Sequence, residues 1–170
     1  MHFFKKNMFL ISLMFLFLFH SFSAAQEDIP GSGMGISASY QKEHFSIQLP
    51  IWLNETTTLA PNFGAYYMDN IGTELQIGLL PKFYLSKKTV SPFIGILGGV
   101  IISLPDENDS VTDFILGISA GAEYFVTCHF SMSIDAQINA SFSDENSFRF
   151  SNPGGTNLNT GTGFTATIYF

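Results

Sequence analysis

Gly163-Phe-Thr-Ala-Thr-Ile-Tyr-Phe170 closes the chain. In an extended conformation Phe164, Ala166, Ile168 and Phe170 fall on one face, and Thr165, Thr167 and Tyr169 on the other. A period of two marks a strand whose faces meet different environments. Chain ends are usually frayed and polar. An alternating, aromatic segment running to the last residue therefore predicts a terminus built into a sheet.

The same period extends upstream. From Phe130 to Ser143, Phe130, Met132, Ile134, Ala136, Ile138, Ala140 and Phe142 alternate without a break with polar residues. A strand in a globular protein is usually about 5–6 residues long, whereas a tilted membrane strand needs about 9–11. The length favours a membrane strand. Phe114–Val126, Leu75–Leu85 and Phe45–Leu53 alternate less perfectly, and weaker runs lie at 34–41, 58–68 and 91–104. With the C-terminal segment they make eight, an even number and the smallest common size for an outer-membrane barrel.

The beginning of the chain reads differently. Lys5 and Lys6 precede the apolar run Met8–Phe19, and Ser23-Ala24-Ala25 supplies small residues before Gln26. This pattern predicts a secretory signal peptide over 1–25, a short N-terminal segment over 26–32, and one barrel domain over 33–170. Without the leader, five bases (Lys42, Lys82, Lys87, Lys88 and Arg149) face fourteen acids, a formal charge of −9. That surface opposes nucleic acid, whose phosphates demand bases. Cys128 is the single cysteine, so no intramolecular disulfide forms. No His or Cys cluster has metal-ligand spacing, and no cofactor is expected.

The connections can be placed by counting from the N-terminus. Short turns fall at Asn54–Thr57, Ser86–Val90 and Thr127–His129. The opposite ends fall near Lys42-Glu43, Asp69–Gly72, Pro105–Thr112 and Asp144–Thr160, so the two longest connections share one end. Pro50, Pro61, Pro81 and Pro92 lie within a few residues of the short turns, where bulges can absorb a missing donor. A secreted sandwich would alternate as well, but its wet face would carry Lys and Glu. Here the polar faces are Ser, Thr, Gly, Gln and Asn. Tyr40, Trp52, Tyr67, Phe83, Phe130, Phe142 and Phe170 near strand ends suit an interfacial girdle.

Together, the leader, the eight segments and the Tyr169-Phe170 terminus resemble the small bacterial outer-membrane β-barrel superfamily, of the OmpA/OmpX-like type. The resemblance is one of pattern and covers residues 31–170. It implies an all-β fold, an eight-stranded antiparallel up-and-down transmembrane β-barrel in outer-membrane lipid. It also implies insertion by the barrel-assembly machinery, with Phe164, Ile168, Tyr169 and Phe170 as the assembly signal.

Eight strands leave an interior just wide enough for side chains. By alternation the inward ionisable residues are Glu74, Lys82, Glu123 and Asp135, and Lys82 is expected to pair with Glu123, Asp135 or both as a structural plug. A gated ion path is the functional alternative. His129-Phe130-Ser131 is similar to the His and Ser of outer-membrane lipid A deacylases, since i and i+2 share a face; but Ser131 is aimed at the lumen. Asp106-Glu-Asn-Asp109 with Asp113 lacks the glycine turn and closing Glu of a calcium loop. Gly31-Ser-Gly-Met-Gly35 precedes no helix and is no nucleotide loop. The expected function is non-enzymatic: membrane structure or surface interaction, with an extracellular ligand at the outer loops and Asp144–Thr160 as the contact segment. Small apolar-solute transport, a soluble periplasmic sandwich or lipocalin-like binder, and a lipid A deacylase are the alternatives.

Overall fold

A computed structural model of the protein describes residues 29–41, 44–68, 72–105, 109–147 and 152–170. The leader and the tips of the four longer-end connections lie outside the described residues. Among the described residues, nine strands form one antiparallel sheet: β1 Gly35–Gln41, β2 His44–Gln48, β3 Ile51–Asn54, β4 Thr57–Met68, β5 Gly72–Tyr84, β6 Val90–Pro105, β7 Val111–Thr127, β8 Phe130–Phe142 and β9 Thr156–Tyr169. Their order is β2-β1-β9-β8-β7-β6-β5-β4-β3, and a β2–β4 pairing closes the sheet. β2 and β3 are two halves of one barrel strand, parted at Leu49-Pro50, so the closed barrel has eight strand positions.

Proline explains that break. Pro50 cannot donate to a ladder, but its carbonyl accepts Gly35 N at 2.8 Å, and Leu49 N reaches the Pro61 carbonyl at 3.0 Å. Pro61, Pro81 and Pro92 stay inside β4, β5 and β6. Pairing between β5 and β6 lapses beside Pro81, where Leu80 and Pro81 lack registered partners across that seam. The register shifts lie at Trp52/Asn54 and Phe125/Thr127, beside two short turns. Disruption therefore gathers at one rim, which we call the turn end; the other is the loop end.

The last strand completes the cylinder. β9 pairs with β8 along Phe130↔Ile168 to Phe142↔Thr156, and with β1 from Gly35↔Tyr169 to Tyr40↔Phe164. Beyond β9, Phe170 N donates to Met34 O at 2.9 Å. The β8–β9 connection is shorter than its composition indicates. Strand pairing begins at Thr156, so the connection spans 143–155 and residues 156–160 belong to the wall.

The partition of side chains is inside out relative to a soluble protein. Ser131, Ser133, Asn139 and Ser141 of β8 are buried, while Ile134 and Ile138 are 63% and 54% exposed. In β9 Thr165, Thr167 and Tyr169 are buried, while Phe164, Ile168 and Phe170 face outward. Large apolar side chains cover the outside of every barrel strand. Soluble monomers rarely expose contiguous apolar surface beyond a few hundred Å². Closure and this outward apolar face exclude both the soluble sandwich and the lipocalin-like binder.

Two apolar layers fill the inside. Trp52, Tyr84, Phe93, Phe125 and Tyr169 form one at the turn end, and Ala60, Leu80 and Leu97 with Ile115 form a second toward the loop end. Phe93 lies across from Gly121. A Cβ at Gly121 would come within 2.8 Å of the Phe93 ring and closer still to the Ile134 carbonyl, so this position admits no side chain without displacing the ring.

Candidate functional site

Glu123 is the centre of the buried polar chemistry. It sits four residues before the end of β7, facing inward, and is fully buried. Its Oε2 accepts the Tyr84 hydroxyl at 2.7 Å, and its Oε1 accepts Ser131 at 2.5 Å and Tyr169 at 2.8 Å. Lys82 Nζ lies 3.6 Å from Oε2. A buried carboxylate is tolerated only when its lone pairs and charge are matched. Here one ammonium and three hydroxyls from β5, β8 and β9 supply the match, so the group ties four walls of the barrel to one side chain.

Aromatic rings surround it. Trp52 stacks on Tyr84 with centroids 5.1 Å apart and planes 26° from parallel, and Phe125 and Tyr169 stand 6.1 Å apart. Lys82 Nζ is 4.6 Å from the Phe93 centroid, within range of a cation–π contact. The lysine is thus held by a carboxylate and by a ring face.

The four inward charges expected from alternation do not form one cluster. Lys82 and Glu123 are brought together. Asp135 stands one layer nearer the loop end, level with Gly121 rather than Glu123, and its Oδ2 accepts Gln137 Nε2 at 2.7 Å. Asn139 Nδ2 continues that ladder to Gln137 Oε1 at 3.4 Å. Glu74 lies eight residues up β5 from Lys82, lining a small recess near the loop end with His44, Tyr66 and Gln76. The extended rise of a strand separates it from Lys82 by roughly 26 Å.

Of the residues expected to form an assembly signal, Phe164, Ile168 and Phe170 lie on the outer surface, whereas Tyr169 turns inward to Glu123. Trp52 also differs from the girdle reading. It is 7% exposed and inside the lumen. Its parity with Gln48 in the same run places it there, and proximity to a strand end is a poorer guide than parity. Tyr40, Tyr67, Phe83, Phe142 and Phe170 do face outward near the rims.

Ser131 and His129 do not make a nucleophile pair. Ser131 is fully buried and donates to Glu123, while His129 is exposed at the turn with its Nδ1 2.8 Å from Cys128 Sγ. Among the described residues, no group of three His, Cys, Asp or Glu could hold a metal ion.

At the loop end, Asp113 acts as an anchor. It is 1% exposed, and its two oxygens accept Asp144 N at 2.9 Å and Ser147 Oγ at 2.8 Å. Asp144 O accepts Gly154 N and Ser147 N, drawing the loop into a compact fold. The inward parity of Asp113 was the available signal for this role.

Known structures share this architecture. The N-terminal β-barrel domain of Pseudomonas aeruginosa OprF matches with a TM-score of 0.59 at 13% identity, covering 83% of this chain and 100% of that one. Neisserial surface protein A matches with a TM-score of 0.57 at 14% identity, covering 81% and 93%. The chain has the eight-stranded outer-membrane barrel fold. No protein-family model matches this barrel, and no curated protein matches it. At such identities the likeness is one of fold, and the luminal cluster must be read from this barrel's own residues.

Proposed function

We propose that this barrel is a non-enzymatic protein of the bacterial outer membrane with a structural or surface-interaction role. The inside-out partition carries the reading. Outward Ile, Leu and Phe are stable in outer-membrane lipid, and inward Ser, Thr, Asn and Gln satisfy one another in the lumen. Export follows from a signal peptide cleaved near Ala25, and insertion from recognition of the terminal strand by the barrel-assembly machinery. The turn end then faces the periplasm and the loop end the exterior. The Asp113-anchored loop 143–155 becomes the best contact segment for an extracellular ligand. One fold neighbour, Neisserial surface protein A, is by name a surface protein, in agreement with this role.

The interior is proposed to be blocked. The Glu123 cluster shares Tyr84 and Tyr169 with the turn-end aromatic layer, the second apolar layer lies toward the loop end, and a pore needs a continuous wet path. In planar bilayers the purified barrel should give no sustained conductance. A steady open level would overturn the blocked interior and favour solute transport. The deacylase reading loses its support with a serine buried against Glu123 and out of reach of surface lipid.

A further inference from the structure

We propose that Ile29–Gly33 form a strap that closes the turn-end mouth of the barrel and shields Trp52 beneath it. The segment leaves the wall at Gly33, whose φ of 96° is a left-handed conformation that favours glycine. A Cβ there would also meet the Phe170 carbonyl oxygen at 2.8 Å. Gly33 O still accepts Trp52 N at 3.0 Å, so the departure point is fixed to β3.

Beyond that point, Pro30 has no N–H with which to extend the ladder. Ile29 instead packs against the Trp52, Tyr84, Phe93, Phe125 and Tyr169 layer. Gly31 is pressed between two side chains of the turns. A Cβ on it would lie 2.6 Å from Lys87 Nζ and 3.7 Å from Glu55. Lys87 Nζ in turn stands 5.9 Å from the Trp52 ring centroid, so one lysine touches both the strap and the floor it covers. Three independent features converge: a backbone turn only glycine makes easily, an apolar side chain seated on the aromatic floor, and a cation bridging the two. Gly33 is the point at which the strap turns out of the wall, and solvent access to the Glu123 cluster from the turn end depends on the strap.

Trp52 is the single tryptophan, so its fluorescence reports the strap directly. Acrylamide quenching is measured on the folded barrel in detergent, for the wild type, Ile29→Leu, Ile29→Asp and Gly33→Val. Wild type and Ile29→Leu should quench weakly. Ile29→Asp and Gly33→Val should roughly double the quenching constant while the unheated gel mobility of the folded barrel is kept, as local opening without global unfolding requires. An unchanged constant in folded Ile29→Asp would overturn the proposal. So would a wild-type constant in the folded barrel equal to that of the urea-unfolded chain, a result that needs no variant to fold.

Discussion

Glu123→Gln should destabilise the folded barrel by about 3–5 kcal/mol, the range for removing one partner of a buried ion pair. The substitution keeps shape and removes charge. Lys82 would then be left buried beside the Phe93 face without its carboxylate partner. Three hydroxyls that donate to two anionic oxygens would meet an amide that offers a single acceptor oxygen and two new donors. Tyr169→Phe removes one donor of three and should cost about 1.5–3 kcal/mol, the scale of a hydrogen bond to a charged group. Lys82→Met added to Glu123→Gln should recover much of the loss, because the unpaired cation is its main source. Urea unfolding in lipid vesicles, followed by Trp52 fluorescence, reads all four proteins. Equal losses for the single and double variants would show that the pair is not the hub described.

Ile118→Arg should cost about 2–4 kcal/mol, and Val90→Arg about 0–1 kcal/mol, the depth dependence of a cation on a lipid-facing wall. Ile118 lies near the middle of β7, paired with Ile96 on one side and Ile138 on the other, and is 59% exposed. Val90 starts β6 at the turn-end rim and is 53% exposed. The two residues are therefore almost equally exposed, and a protein surrounded by water would tolerate arginine at either. Only a hydrocarbon surround separates them. The same urea titration in vesicles measures both, and equal small effects would contradict the membrane reading.

Much of the wall was legible because barrel strands have one period and two unlike faces. Phe130–Phe142 and the C-terminal segment show their inward and outward residues by parity alone, as do Lys82 and Glu123. Of the inward contacts, the meeting of Lys82 with Glu123 was legible and the hydroxyl partners were not. Tyr84, Ser131 and Tyr169 reach Glu123 from sequence separations of 39, 8 and 46 residues. That meeting depends on the stagger of closure, which alternation does not encode. Trp52 was open to two readings, since an aromatic near a strand end serves an interface as well as a lumen. The break at Pro50 was visible as a proline, but its carbonyl pairing with Gly35 kept the strand continuous in a way composition does not show. The wall formed by 156–160 was hidden by Asn, Thr and Gly, residues that also make loops.

The central claim is a closed barrel in the outer membrane. Cell fractionation of the protein expressed with its own leader, followed by gel electrophoresis of unheated and boiled samples, tests it most directly. Recovery with the outer membrane and a faster-migrating unheated band that boiling abolishes are the expected results. A protein recovered in the aqueous periplasmic fraction, with one mobility before and after boiling, would contradict it.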